Sequence, residues 1–328
     1  MRFTIYQESR QGGRANNEDR VAYCYSRDAL LMVVADGMGG HFYGEIAAQI
    51  AVQTLTDSFQ QEAHPGVGDP FRFLQKGMTN AHHAILDYSA KHRLNDSPRT
   101  TCVACLIQDS LAYWAHAGDS RLFLMRRGKV VAQTKDHSRV RLLMEEGVIS
   151  EAQAAVHPER NKIYSCLGGG QAPEIEFSRK TPLEDGDIIL VCSDGLWGVT
   201  SGESMAVTLK GANLLQAAPM VMAQAEVKGG TQGDNLSMVA VRWEESYVEP
   251  SESSVSTQAM TMDQVTTRLA QHSPVEPQRQ GADPEVRVPV DHARPDAPAD
   301  RDPPVARVDG DRLPDVRLGR GERLLPYD

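Results

Sequence analysis

The sequence lacks any uninterrupted apolar run of about 18 residues, so it predicts no membrane-spanning helix. Its five cysteines are odd in number and indicate no disulfide framework, which favours a reducing compartment. Lysine and arginine form no long cluster and the formal net charge is −10, which argues against nucleic acid as the main partner. The first residues also lack an apolar signal segment. These absences together predict a cytoplasmic protein that binds neither membranes nor nucleic acid.

Apolar residues nevertheless make up 41% of the 328-residue chain, which is enough for a substantial core. The composition changes after Trp243, and residues 274–328 contain ten of the eighteen prolines. Such a segment buries too little apolar surface to offset the entropy of ordering it. The sequence therefore predicts one domain over residues 1–243 and a disordered Pro/Asp/Arg-rich tail over residues 244–328.

Apolar periodicity predicts both helices and strands within this domain. Helical spacing occupies residues 44–63, the segment from Leu74 to Tyr88, and two stretches between Glu203 and Lys228. Short apolar runs bounded by turn residues predict strands at 2–8, 20–25, 30–35, 100–107, 111–117, 121–125, 130–134, 181–192 and 236–243. The connections at 108–110, 118–120 and 126–129 are short enough for hairpins, which favours antiparallel sheets.

The cysteines and histidines do not show the ligand spacing of a zinc site. Cys102 and Cys105 have the CxxC spacing, but residues three apart on a strand point to opposite faces. Cysteine is often buried as a small apolar residue. We therefore expect both thiols to lie in the core.

Three aspartates follow or precede apolar strands at glycine-rich turns. Asp36 ends the run from Leu30 to Ala35, Asp194 follows the run from Ile188, and Asp234 precedes a last predicted strand. One such Asp alone could simply make a turn. Carboxylates brought together at strand ends, in contrast, are ligands for hard cations such as Mg²⁺ or Mn²⁺.

Five motifs then occur in a fixed order along the first 243 residues. They are Arg14-Ala15-Asn16-Asn17-Glu18-Asp19, Asp36-Gly37-Met38-Gly39-Gly40, Gly118-Asp119-Ser120-Arg121, Ser193-Asp194-Gly195-Leu196-Trp197 and Asp234-Asn235. In this the chain resembles the metal-dependent protein phosphatases (type 2C serine/threonine phosphatases), in their bacterial form. The resemblance implies an α+β fold, a four-layer α/β/β/α sandwich of two antiparallel sheets flanked by helices. It also implies an irregular flap at about residues 136–180.

The resemblance further implies a dinuclear metal site of two Mn²⁺ or Mg²⁺ ions. Asp36 would bridge the two ions, and Asp194 and Asp234 would bind one of them. The Gly37 carbonyl is carried over to the other ion, with Glu18 as its acidic residue, through water. Two such ions can activate a water molecule to attack phosphorus and can clamp the phosphoryl oxygens.

Four other positions carry over from the same family. Arg14 would bind the substrate phosphate. Asp19 and Asn235 would lie next to the metal ligands and orient them. Asp119 would belong to a third, weaker metal site. The family's usual partner aspartate for that site is Gly198 here, so this chain departs from the pattern.

Acid catalysis is a second departure. Animal members of the family carry a histidine directly after the metal-binding Asp-Gly pair, and the corresponding residue here is Met38. His41 is nearby and is interpreted as structural. The proton for the leaving group is therefore expected to come from elsewhere, with water on the metal as the candidate donor.

The resemblance implies hydrolysis of phosphoserine and phosphothreonine on proteins, with an opposing serine/threonine kinase as the natural counterpart. Two alternatives keep the same fold. One is a catalytically weak regulator that binds phosphoproteins, and the other is an enzyme restricted to a single signalling phosphoprotein. The complete acidic set of Glu18, Asp36, Asp194 and Asp234 argues against the regulator.

Overall fold

A computed structural model describes residues 1–38, 43–211 and 213–248, together with one strand at Asp315–Leu318. The chain divides into a unit of residues 1–248 with 312–328 and a unit of residues 249–311. The second unit lies outside the described residues. None of the helices in the described part of the chain combines the length and apolarity needed to cross a bilayer.

Within the described residues, twelve strands form two antiparallel sheets. Sheet A has the order β1-β11-β10-β6-β7, and sheet B has the order β12-β2-β3-β4-β5-β8, with β9 also paired to β5. The strands are β1 Phe3–Arg10, β2 Asp19–Tyr25, β3 Ala29–Asp36, β4 Cys102–Gln108, β5 Leu111–Ala117, β6 Arg121–Arg126, β7 Lys129–Gln133, β8 Glu176–Phe177, β9 Thr181–Pro182, β10 Ile188–Cys192, β11 Leu236–Trp243 and β12 Asp315–Leu318.

Seven α-helices accompany these sheets in the described residues. They are α1 Gly44–Glu62, α2 Pro70–Lys91, α3 Arg139–Glu145, α4 Glu151–Ala155, α5 Asp194–Trp197, α6 Gly202–Lys210 and α7 Leu214–Gly229. A 3₁₀ turn at Gly230–Gln232 leads into β11. Helix α2 begins with Asp69 as N-cap, whose side chain accepts a hydrogen bond from the Arg72 N–H, and with Pro70 in the first turn.

Alternation along the central strands separates the core into layers. On β3, Leu30 and Met32 face sheet A, whereas Leu31 and Val33 face the helices α1 and α2. The opposite sheet behaves in the same way, because part of β10 faces sheet B and part faces α6 and α7. These three apolar clusters produce a four-layer α/β/β/α sandwich, and the predicted fold class is confirmed.

The turn at residues 118–120 is not a hairpin, contrary to the prediction from its length. β5 belongs to sheet B and β6 to sheet A, so the three residues carry the chain from one sheet to the other. Gly118 allows this with a φ of +109°, and a Cβ there would lie 2.7 Å from Thr101 Cβ. Asp119 is consequently placed where the two sheets meet.

The predicted strand at 181–192 is also wrong in part. It is split into β9 and β10 by a turn in which the Asp187 N–H donates to Glu184 O and Gly186 has a φ of +85°.

The prediction that the cysteines are buried is confirmed, since Cys102 and Cys105 lie buried in two different apolar clusters.

Four residues of the predicted disordered tail form a strand instead. β12 pairs antiparallel with β2, with Asp315 opposite Tyr25 and Leu318 opposite Ala22. An outer strand such as β2 has unpaired backbone groups that can accept a further strand. The domain boundary at Trp243 and the disorder of the other tail residues stay predictions.

Candidate active site

The predicted site residues converge at one edge of the sandwich, where the chain passes between the two sheets. Asp19 begins β2 directly opposite Asp36, the last residue of β3. Asp194 is the first residue of α5, separated from the end of β10 by Ser193, and Asp234 is separated from the start of β11 by Asn235. Because β10 and β11 are neighbours in sheet A, their ends bring Asp194 and Asp234 to the same edge.

Asp36 is held through its backbone by two threonines. The Thr101 N–H and the Thr100 hydroxyl both donate to Asp36 O, at 2.9 and 2.8 Å. The Asp36 N–H donates to the Thr101 hydroxyl oxygen at 3.2 Å. These bonds use the main chain of Asp36, so its carboxylate is left to face the site.

Asn235 joins the two segments that carry the other acidic residues. Its Oδ1 accepts a hydrogen bond from the Glu18 N–H at 2.9 Å, and its Nδ2 donates to Gln11 O and Asn16 O. Its own N–H donates to Asp234 Oδ1 at 2.8 Å. The predicted orienting role of Asn235 thus has a clear geometric basis, since one side chain fixes the loop around Glu18 relative to Asp234.

Asp19 lies behind the site and is only 2% exposed. The Ser193 hydroxyl donates to Asp19 Oδ2 at 2.6 Å, and the same hydroxyl oxygen accepts the Ser237 N–H at 3.1 Å. Ser193 directly precedes Asp194, so this chain of bonds connects three of the acidic segments. Sequence reasoning missed Ser193, although its place beside Asp194 in the motif was a usable signal.

Two glycines permit the close approach of these segments. A Cβ on Gly195 would lie 2.1 Å from Asn235 O, and a Cβ on Gly44 would lie 2.6 Å from Glu18 Oε2. Contacts this short do not occur for real side chains, so any larger residue would push the acidic groups apart.

Burial and mutual repulsion raise the pKa values of these acids. Burial, followed by the charges of Asp19 and Asp194, raises the pKa of Asp36 well above its usual range. Burial and the neighbouring charge of Asp234 raise the pKa of Asp194 to about 7. Burial raises the pKa of Asp19 to about 6, against the opposing effect of its hydrogen bond from Ser193. The edge formed by Asp19, Asp36, Asp194 and Asp234, called the carboxylate edge below, would therefore carry more negative charge when fully ionised than its own surroundings can stabilise.

Arg14 lies at the open side of this edge. Its Nη2 donates to Asp234 Oδ2 at 2.5 Å, and its side chain remains 54% exposed. The hydrogen bond to Asp234 raises the pKa of the Arg14 guanidinium still further above its already high usual value. A guanidinium has five N–H donors, so Arg14 can hold Asp234 and still offer donors to an incoming anion.

Asp119 is fixed from several sides in the turn between the sheets. The Trp197 Nε1–H donates to Asp119 O at 2.9 Å, and the Arg121 guanidinium lies 3.5 Å over the Trp197 ring. Ser120 and Thr101 share a hydrogen bond of 2.7 Å, which ties this turn to the threonines that hold Asp36.

Burial, followed by the charge of Asp194, raises the pKa of Asp119 well above its usual range. Gly198, where the family has an aspartate, lies at the C-terminal end of α5 and contributes no side chain.

The geometry fits divalent cations at this edge. Glu18 Oε2 and Asp19 Oδ1 are both buried and have no hydrogen-bond partner within the described residues. Buried carboxylate oxygens without partners are costly unless an ion or a proton satisfies them. The donor set consists of oxygen atoms, which suits Mg²⁺ or Mn²⁺.

Met38 lies beside this edge, and its N–H donates to Arg99 O at 3.0 Å. His41, the histidine interpreted as structural, lies outside the described residues. The supporting residues Thr100, Thr101 and Trp197 were not singled out from the sequence, because none carries a titratable group or a metal-ligand spacing.

Comparison with known proteins gives a consistent result. Residues 7–220 match the family described as protein phosphatase 2C. The serine/threonine phosphatase stp of Listeria monocytogenes is 31% identical over 231 residues, which cover 70% of this chain and 90% of that protein. The serine/threonine protein phosphatase PstP of Mycobacterium tuberculosis is 34% identical over 226 residues, 69% of this chain and 42% of that protein.

Solved structures resemble the same region. The crystal structure of PstP/Ppp from Mycobacterium tuberculosis has a TM-score of 0.65 and 32% identity, and the match covers 74% of this chain and 99% of that one. The catalytic domain of PstP in complex with two manganese ions has a TM-score of 0.62 and 32% identity, covering 73% and 97% of the two chains.

Proposed function

Since the chain belongs to the protein phosphatase 2C family, we propose that it hydrolyses phosphoserine and phosphothreonine on proteins with water as the nucleophile. The observation that carries the proposal is the convergence of Asp36, Asp194 and Asp234 on one edge, with Glu18 beside them and Arg14 at the opening. A hydrolase of phosphate monoesters needs positive charge near the phosphoryl oxygens and an activated water. Divalent ions held by these acidic residues would supply both.

Two divalent ions, Mn²⁺ or Mg²⁺, are part of this proposal. Asp36, Asp194 and Asp234 would hold them, together with Glu18 and the Gly37 carbonyl. The ions would supply the charge that activates the attacking water and neutralises the phosphoryl group. Support comes from the all-oxygen donor set, from the raised pKa values of Asp36 and Asp194, and from the two manganese ions of the related PstP domain.

The chain's own residues orient the reaction. Arg14 binds the phosphate with those guanidinium N–H groups that do not bond to Asp234. Asn235 keeps the Glu18 segment in register with Asp234, and Asp19 with Ser193 fixes the start of α5. Asn235, Asp19 and Ser193 are buried, so they hold the acidic groups in place before any substrate arrives.

A third, weaker cation site at Asp119 also belongs to the proposal. The buried Asp119 carboxyl group is close enough to Asp194 for the charge of Asp194 to raise its pKa. Gly198, in contrast, contributes no ligand. Few ligands give a weak site, so millimolar rather than micromolar affinity is expected.

We also propose the biological setting. Phosphorylated proteins are the substrates, an opposing serine/threonine kinase is the counterpart, and the location is cytoplasmic, without membrane or nucleic acid as partner. The net charge of −10 supports the absence of nucleic-acid binding.

The catalytic domain is proposed to end near Trp243, with the remainder as a tail. A chain ending at Tyr247 should fold and hydrolyse p-nitrophenyl phosphate like the full chain, because β11 completes sheet A at Trp243 and the removed β12 is only an outer strand of sheet B. An insoluble or inactive truncated protein would place the boundary elsewhere. A loss confined to phosphoprotein substrates would assign substrate docking to the tail.

One assay separates the enzyme from a phosphoprotein-binding regulator of the same fold. The full chain is incubated with p-nitrophenyl phosphate and with a phosphoserine peptide, in Mn²⁺ and in EDTA. Turnover in Mn²⁺ that is absent in EDTA and absent in the Asp36→Asn variant supports the proposal. Peptide binding without turnover in any divalent metal would favour the regulator.

A further inference from the structure

Three side chains that could bind a metal ion meet at the base of the predicted flap. His116 lies on β5, His137 precedes α3, and Glu176 lies on β8 opposite His116 in the strand register. One ligand atom from each of the three lies within 4.8 Å of the others. The histidines are 2% and 1% exposed, whereas the Glu176 side chain is 49% exposed. The cluster is thus buried on two sides and open on the third.

His116 has the arrangement of a metal ligand. Its Nε2 lies 2.6 Å from Lys135 O, so the ring carries its proton on Nε2 and donates it to that carbonyl. Its Nδ1 is buried and has no hydrogen-bond partner within the described residues. Histidines that bind metals typically donate the other ring N–H to a backbone carbonyl in this way.

His137 presents its Nε2 toward the same space. That atom is buried, has no hydrogen-bond partner within the described residues, and lies 3.6 Å from Glu176 Oε2. Burial lowers the pKa of both His116 and His137, so both rings are neutral near pH 7. Neighbouring ligands in a tetrahedral zinc site are about 3.3 Å apart, which is close to the separation of His137 and Glu176.

We propose that His116, His137 and Glu176 bind one borderline transition-metal ion of the Zn²⁺ type, at a site separate from the carboxylate edge. Two imidazoles and one carboxylate suit zinc, whereas the oxygen-only edge around Asp36 suits Mg²⁺ or Mn²⁺. Water reaching the exposed Glu176 side completes the coordination.

Binding requires one proton to move within His137. Its Nδ1 accepts the Gly118 N–H at 3.2 Å, so its proton resides on Nε2 in the metal-free protein. When Nε2 binds the ion, that proton transfers to Nδ1 and the bond from Gly118 is lost. The bond from the His137 N–H to Gly118 O, at 2.9 Å, does not involve the ring and is kept.

The ion would connect both ends of the flap to sheet B. His137 and Glu176 enclose residues 138–175, and His116 belongs to β5 in the sheet beneath them. His137 also stacks against Tyr164 within that segment, with ring centroids 5.4 Å apart. The site is therefore a structural clamp on the flap and takes no part in the attack on phosphorus.

The test uses the full chain with Asp36→Asn and Asp194→Asn, which disable the carboxylate edge. Co²⁺ is titrated as the probe, because its visible absorption reports tetrahedral coordination. One equivalent should bind with tetrahedral bands, and His137→Gln or His116→Gln should weaken binding at least tenfold. Bound Zn²⁺ should slow hydrogen exchange in residues 138–175.

His83→Gln, on the exposed face of α2, is the matched control and should leave Co²⁺ binding unchanged. Should the buried histidine variants fail to fold, the exposed Glu176→Gln keeps the test decisive, because it must still weaken Co²⁺ binding at least tenfold. The proposal is overturned if the parent shows no tetrahedral Co²⁺ bands, or if Glu176→Gln binds Co²⁺ as the parent does.

Discussion

The carboxylate edge around Asp36 and the histidine cluster around His116 both bury titratable side chains, but their electrostatic problems are opposite. At the edge, burial and then the mutual repulsion of several carboxylates raise their pKa values. In the cluster, two neutral rings leave nitrogen atoms without hydrogen-bond partners among the described residues. The first arrangement needs positive charge. The second offers a metal ion the free Nδ1 lone pair of His116 and, after the proton shift within His137, that of His137 Nε2.

This difference indicates why the two places should select different ions. Hard cations such as Mn²⁺ or Mg²⁺ prefer carboxylate and carbonyl oxygen, whereas imidazole favours zinc. Their supports differ as well. Asp36 is held by Thr100 and Thr101, which directly precede β4, while His137 is held by the backbone of Gly118.

Asp194→Asn should lower phosphopeptide hydrolysis about 10³-fold, because a metal ion contributes several kcal/mol of transition-state stabilisation. The fold should persist, since the amide replaces a carboxylate that its neighbours repel. Turnover at saturating Mn²⁺ and the circular dichroism spectrum are the measurements. Asp185→Asn, on an exposed turn, is the matched control and should behave as wild type. Near-normal turnover in Asp194→Asn would contradict the assignment of the edge.

Arg14→Ala should weaken use of phosphoserine peptides by about tenfold or more, mainly in KM, because a charge-assisted hydrogen bond to phosphate is worth about 1.5–3 kcal/mol. Arg27→Ala removes an arginine whose side chain is 83% exposed and should change neither KM nor kcat. Equal values for Arg14→Ala and wild type would remove Arg14 from the phosphate site.

Asp119→Ala should slow turnover by less than about tenfold and leave the tight metal ions bound. Asp119 lies near the carboxylate edge, but the aspartate that the family pairs with it is replaced here by Gly198. A Mn²⁺ titration of the rate should lose its weak, high-concentration phase. Asp87→Ala on α2 is the control, and an unchanged titration in Asp119→Ala would make this residue a turn residue only.

Metal-free stability should respond to pH in opposite directions at the two regions. Asp19 and Asp194 have folded-state pKa values of about 6 and about 7, raised above the unfolded value of about 3.9. Their stabilising effect is therefore fully present below about pH 3.9 and is lost as the pH rises from there through the folded-state values of about 6 and about 7. The lowered pKa values of His116 and His137 instead remove stability as the pH falls below about 6.5.

The measurement is Tm in EDTA as a function of pH. The loss of Tm as the pH rises towards 7 should be smaller in Asp194→Asn and should be reversed in wild type by added Mn²⁺. A loss of the same size in Asp194→Asn and wild type would show that the edge does not control this titration.

Sequence patterning predicted the central strands because burial imposes them, whereas the four-layer arrangement was predicted from the family resemblance. β3 is buried on both faces, and its aliphatic run from Leu30 could hardly form anything else. The short helix α5 was missed, since four residues give no helical periodicity. The turn at 118–120 was misinterpreted because its length says nothing about which sheet the next strand joins.

The site could be predicted as far as its motifs extend. Asp36, Asp194 and Asp234 are recognisable in the sequence, but Ser193 and Thr101 act through hydrogen bonds that depend on tertiary placement. The histidine cluster leaves no signal at all in the sequence. His116, His137 and Glu176 lie far apart along the chain and show none of the usual zinc spacings.

Mn²⁺ stoichiometry combined with phosphopeptide hydrolysis in the same samples tests the central claim most directly. Wild type should bind two Mn²⁺ ions tightly and should hydrolyse the peptide in proportion to their occupancy, because Asp36 is proposed to contact both ions. The Asp36→Asn variant should lose both tight ions and nearly all hydrolysis while keeping its fold. Two tight ions in Asp36→Asn, or full hydrolysis by wild type in EDTA, would contradict a dinuclear phosphatase site at this edge.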